Sequence, residues 1–182
     1  YPGLNYKLTA DITLGDGDKS AATVTTSYVP FAFSGKLDGN NKTVTVYINN
    51  SADNQGLFSI IEDGSSIENL NVDGVVKGKN YVGGIAGHNE GVISYSSVSA
   101  TISTSTSVDS SVAGGIAGST LAGRGLAIDT CIVNDAYISG YYAGGIVADN
   151  GLNTGNLVGC YVVMLNTASI NNGVFGVIVG MD

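Results

Sequence analysis

The chain has 182 residues, enough for one domain with its own core, and 43% of them are apolar against only 12% charged, a balance that excludes intrinsic disorder. A net charge of −8 with seven Lys and Arg residues excludes the clustered cations that nucleic acid or an anionic membrane surface requires. No stretch approaches the ~20 uninterrupted apolar residues of a membrane helix.

In chain order, "YKLTADITL" (Tyr6–Leu14) alternates with period two and predicts the first strand. The following "GDGDKSAATVTTSYVP" departs from that pattern and reads as a loop or cap over an open end. Within it, Asp16 and Asp18 place oxygen ligands close enough for calcium, or form an ordinary solvated turn. "FAFSGKLDGNNKTVTVYI" (Phe31–Ile48) predicts two strands joined through a turn at Asp38–Asn41.

From there a unit recurs. "YVGGIAG" at Tyr81–Gly87 returns as "VAGGIAG" at Val112–Gly118 and "YAGGIVA" at Tyr142–Ala148, with weaker copies in "NQGLFSII" and "NNGVFGVI". Gly56, Gly84, Gly115, Gly145 and Gly173 align at steps of 28, 31, 30 and 28 residues. The next column is aliphatic (Leu57, Ile85, Ile116, Ile146, Val174), and two places on it is small (Ser59, Gly87, Gly118, Ala148, Gly176). A second strand follows in each unit: Ile67, Leu70, Val72; Ile93, Ser96, Val98; Ile128, Cys131, Val133; Leu157, Cys160, Val162.

Such a period without helical spacing predicts an all-β parallel solenoid of about 28–31 residues per coil. Successive coils stacked at about 4.8 Å turn each column into a ladder of like side chains. The glycines, among them Gly83, Gly114 and Gly144 as first members of each pair, read as corners needing positive φ or close backbone packing. A phosphate cradle is the rival reading, but "GGIAGHNEG" has neither a P-loop lysine nor a helix after it. Residues 1–182 thus read as one solenoid domain, with strands and a cap in 1–54 and repeating coils in 55–182. The abrupt Tyr1 and the ending inside a repeat lead us to expect a piece of a longer protein.

The phased "GIAG" (Gly84–Gly87, Gly115–Gly118), "GVFG" (Gly173–Gly176) and degraded "GIVA" and "GLFS" resemble the GLUG-motif repeats of bacterial surface proteins. The lead-in "YKLTADITL…FSGKLDGNNKTVTV" is similar to the segment that precedes such repeats. The resemblance implies a right-handed parallel β-helix and an extracellular or cell-surface address. It also implies parent proteins that include adhesins and immunoglobulin A-cleaving metallopeptidases. The motif is architectural, so it implies no catalytic residue.

The residues themselves supply little chemistry. The single histidine, His88, lies in "AGHNEG" and reads as an exposed turn residue, and H-E-x-x-H is missing. The fifteen acids scatter over turns and form no aligned column on one face, against the pair a glycosidase needs. A carbohydrate-active β-helix, lyase or glycosidase, is the alternative, carried by analogy of fold. No catalytic residue, metal site or cofactor is therefore expected. Cys131 and Cys160 share a column and form either a buried thiol ladder or, against unfavourable parallel side-chain directions, a disulfide.

Surface for binding remains. Tyr81, Tyr141 and Tyr142 precede glycine corners, and Tyr95, Tyr137 and Tyr161 lie in or beside second strands. Tyr81, Tyr141, Tyr142 and Arg124, the sole arginine, are the candidate ligand contacts, with inward packing of the tyrosines as the competing reading. Longer loops at Thr104–Ser111 and Ser119–Ala127 interrupt the period, as binding loops of solenoids do. The expectation is a non-catalytic surface module, adhesin or stalk, that binds an extracellular glycan, matrix or protein partner alongside other domains of its parent chain. An accessory domain of a surface protease is a further alternative.

Overall fold

A computed structural model describes residues 3–15, 30–106, 108, 110–120, 125–150, 155–167 and 174–181. These form a parallel β-solenoid of about 29 residues per turn, and no helix occurs among them. Each full turn visits three parallel sheets in order. The broad sheet comes first, with strands such as Ser66–Gly78, Ser97–Thr104 and Ile132–Ser139. A narrow sheet follows, made of Val82–Gly83, Val112–Gly114, Tyr142–Gly144 and Val174–Gly176. The chain then folds back through a third sheet, which includes Ala86–Asn89, Ala117–Thr120 and Val147–Asp149.

Register turns the predicted columns into ladders. Ile12, Val44, Val72, Val98, Val133 and Val162 pair in sequence through the broad sheet. Leu37, Ile67, Ile93, Ile128 and Leu157 form a second interior column. At the fold-back, Ile85 N–H donates to Ile116 O at 2.9 Å and Ile116 N–H to Ile146 O at 2.8 Å. All three of these isoleucines are fully buried, each contributing about 1.5–3 kcal/mol of burial before entropy is counted.

The last repeat has a different phase from the one its sequence suggests. Val174 pairs with Tyr142, Gly176 with Gly144 and Val147 with Val179. Ile146 N–H donates to Ile178 O, so Ile178 continues the aliphatic ladder and Val174 stands 53% exposed outside it. Gly176 therefore belongs with Gly83, Gly114 and Gly144, while Gly173 lies outside the described residues. "VFGVIVG" contains two glycine–aliphatic phases, and only backbone pairing selects between them.

The repeated glycines do not sit at positive φ. Gly83, Gly84, Gly87, Gly114, Gly115, Gly118, Gly144 and Gly145 all have ordinary backbone angles. Their reason is proximity. A Cβ on Gly83 would lie 2.6 Å from Ala117 Cα, and one on Gly118 would lie 2.4 Å from the Tyr81 carbonyl carbon. The narrow and third sheets thus press together backbone against backbone, far closer than the ~10 Å of sheets separated by side chains. Gly56 fits the same rule, 2.8 Å from the Ala86 carbonyl carbon.

Positive φ is used elsewhere: at Asn40, Asn54, Tyr81 and Asp135, with φ of 52°, 55°, 55° and 50°, and, in every turn, at a corner inside the broad sheet. Asn41, Asn69, Tyr95, Thr130 and Gly159 carry it at that corner, with φ of 57°, 54°, 50°, 50° and 62°. This corner also corrects the N-terminal expectations. Tyr6–Leu14 is two strands, Asn5–Lys7 and Ile12–Leu14, and both pair in parallel with one long strand, Lys36–Asn49. Asp38–Asn41 is a corner within that long strand, marked by a register shift between Asp38 and Lys42, not a reversal of the chain. Asp38 is clamped there by Lys7 Nζ at 2.6 Å, Asn40 N–H at 2.8 Å and Asn69 Nδ2 at 3.2 Å.

Candidate functional site

Inside the corner lies the predicted cysteine column. Both thiols are free, Cys131 buried and Cys160 half-buried. Cys131 Sγ donates to the carbonyls of Asp129 (3.4 Å) and Ile93 (3.7 Å), and Cys160 Sγ to Val158 (3.5 Å) and Ile128 (3.7 Å). Ser96 holds the same place one turn earlier and its Oγ donates to Ser94 O at 2.8 Å. The column is thus a set of clasps across the left-handed residue. Burial pushes the Cys131 thiol up to about 12 and raises that of Cys160, which removes thiolate reactivity at neutral pH.

His88 is not an exposed turn residue. It lies on strand Ala86–Asn89, with its side chain 21% exposed. Its Nδ1 and Ser119 Oγ are 2.5 Å apart, and its Nε2 is 3.5 Å from Glu90 Oε1. The contact follows from register, since His88 and Ser119 are paired on neighbouring strands. Hydroxyl, imidazole and carboxylate in line have the composition of a nucleophile relay. Ser119 is only 3% exposed, however, and the trio braces two turns. A polar recess of about 280 Å³ opens beside Glu90, with Lys36, Asp63 and Ser66 on its rim.

At the N-terminal end, Tyr6, Phe31, Phe33 and Phe58 form a ring cluster with centroids 4.9–6.1 Å apart. They line an apolar recess of about 590 Å³. No group of three or more His, Cys, Asp or Glu among the described residues has metal-binding geometry. Asp16, Asp18 and Arg124 lie outside the described residues.

Of the tyrosines expected to contact ligand, Tyr81, Tyr141 and Tyr142 are all half-buried. Tyr141 and Tyr142 pack edge to face on one another at 5.0 Å. Tyr81 and Tyr142 share a column two turns apart, with Val112, which pairs with Tyr142, between them. The best-exposed tyrosines among the described residues are elsewhere, on the outer face of the broad sheet: Tyr95 at 58% and Tyr161 at 61%, while Phe31 at 53% stands at the N-terminal recess.

Comparison with known proteins supports the architecture. Residues 78–103, the turn that contains Tyr81, His88 and Tyr95, match the GLUG motif. No curated protein matches the chain. Among solved structures, the fold is similar to that of a Bacteroides ovatus protein provisionally assigned as an immunoglobulin A1 protease. The two share 18% sequence identity over 98% of this chain and 78% of that chain, with a TM-score of 0.50. The chain is a β-solenoid with a GLUG-motif match in one turn, and at that identity the likeness to the solved structure is one of fold. No helix among the described residues is long and apolar enough to cross a membrane.

Proposed function

We propose that this chain is a non-catalytic module of a bacterial cell surface, whose solenoid holds a side face and its loops out toward an extracellular glycan, matrix or protein ligand. The observation that carries the reading is the contrast between interior and exterior columns. Interior ladders such as Ile67–Ile93–Ile128 and Ile85–Ile116–Ile146 are aliphatic, while exterior positions such as Thr43, Asn71, Ser97 and Ser99 are small, polar and uncharged. The hydroxyl–imidazole–carboxylate chain ends at a Ser119 that is only 3% exposed, which supports a bracing role for it. Likeness to the Bacteroides ovatus protein concerns fold, so that protein's activity forms no part of the reading.

The test is binding without turnover. The chain, presented to arrays of neutral glycans, anionic glycans and matrix proteins, retains at least one ligand and leaves every polysaccharide uncleaved. New reducing ends or unsaturated sugar products would move the protein to the carbohydrate-active alternative, and silence across all arrays would remove the binding role.

A further inference from the structure

We infer that the outer face of the broad sheet around Tyr95, Ile132 and Tyr161 is a stacking platform for a neutral glycan chain. This rests on the proposed binding role and gives it a place and a ligand class. Two independent observations point here. The first is backbone strain. At the left-handed corner the earlier turns use Asn41 and Asn69, a residue type that tolerates this conformation. The next turn puts Tyr95 there, at a cost of about 1–2 kcal/mol, with the ring 58% exposed. Tyr81 and Thr130 also take the left-handed conformation, with φ of 55° and 50°, but Tyr81 is half-buried, so Tyr95 is the left-handed tyrosine whose ring is left to solvent.

The second observation is a break in a polar column. Thr43, Asn71, Ser97, Ile132 and Tyr161 pair in succession across the sheet. The first three are polar. Ile132 and Tyr161 then stand 40% and 61% exposed, and Val163, two residues on from Tyr161, stands 47% exposed. Backbone bonds fix them beside the corner: Ile132 N–H donates to Ser96 O, and Tyr161 N–H to Cys131 O.

Charge and area choose the occupant. None of the broad-sheet strands from Val92 onward contains a lysine or arginine, and the chain carries −8 overall, which disfavours an anionic polymer. Tyr95, Ile132, Tyr161 and Val163, each only partly exposed, are too few to supply the ~800 Å² per partner that a stable protein interface needs. A pyranose offers an apolar C–H face to a tyrosine ring and a rim of hydroxyls to serine and asparagine. Turns stacked at about 4.8 Å present a new row for roughly each sugar along a chain parallel to the axis.

The experiment titrates the chain calorimetrically with cellohexaose, laminarihexaose, chitohexaose and mannohexaose, with hyaluronan and polygalacturonate as anionic probes and a matrix-protein array in parallel. Wild type binds at least one neutral hexaose. Tyr161→Ala and Tyr95→Asn each weaken that binding about tenfold or more. Because Tyr95→Asn relieves the corner and melts no lower than wild type, its loss of binding is not unfolding. Neutral-hexaose binding that both variants keep overturns the platform and leaves the general binding role standing. Binding confined to anionic or protein probes overturns the ligand class. No binding to any probe removes both.

Discussion

The fold-back between the narrow and third sheets and the corner of the broad sheet both bend the chain once per turn, by opposite means. At the fold-back the bend works because side chains are missing. Gly83, Gly114 and Gly118 let two backbones touch, and nothing can be added. At the corner the bend is made by backbone conformation, and the side chain points out of the way, so Asn, Tyr, Thr and Gly all occur there. The difference teaches where this solenoid has freedom. A position defined by contact carries architecture alone, while one defined by φ has a side chain to spare.

Substitutions that add a single methyl group break or confirm this contrast most directly. Gly114→Ala puts a Cβ 2.0 Å from Ala117 O, which no side-chain movement relieves. It is expected to cost about 4 kcal/mol or more in urea unfolding. Gly64→Ala, at φ +78° with nothing within 4 Å of its Cβ, costs only about 1 kcal/mol. Equal costs would show that the fold-back is not defined by contact. Next in size is the ladder itself. Ile116→Ala loses about 3 kcal/mol, whereas Val174→Ala, outside the ladder and exposed, is near neutral. The reverse ranking would restore the other phase for the last repeat.

The corner sharpens the comparison with smaller effects. Tyr95→Asn raises stability by about 1 kcal/mol, measured as a higher Tm. Cys131→Ser keeps most of the stability, since Ser96 makes the same clasp one turn earlier, while Cys131→Ala loses about 1 kcal/mol more. Last comes the acid at the first corner. Lys7, then the Asn40 and Asn69 donors, hold the Asp38 carboxyl down at about 2, against an ordinary 3.8. Its stabilisation is therefore fully present above pH 3.8 and is lost as pH falls toward 2. Asp38→Asn should flatten that part of an acid-unfolding curve, and an unchanged curve would show that the clamp is immaterial.

Much of this was legible in the residues. Isoleucines at 85, 116 and 146 announce a ladder because a solenoid repeats one environment at a fixed interval. Cys131 and Cys160 announce a shared column for the same reason. His88 was misread because its partner, Ser119, is 31 residues away, adjacent only once the turns stack. The glycines are legible as bends served either by positive φ or by close backbone packing, and only the structure selects packing, since a glycine looks the same in both cases. Tyr95 and Tyr161 were visible as tyrosines of the second strands, yet nothing local distinguishes them from the half-buried Tyr142.

Sequence by itself determined the period, the parallel solenoid and the aliphatic ladders of the central turns, because burial repeats with the chain and selects aliphatic residues at each pass. Only tertiary structure decided the phase of the final turn, which glycines touch backbone, and which tyrosines meet solvent. Those properties depend on what lies one turn away, and in a solenoid that distance varies with every loop.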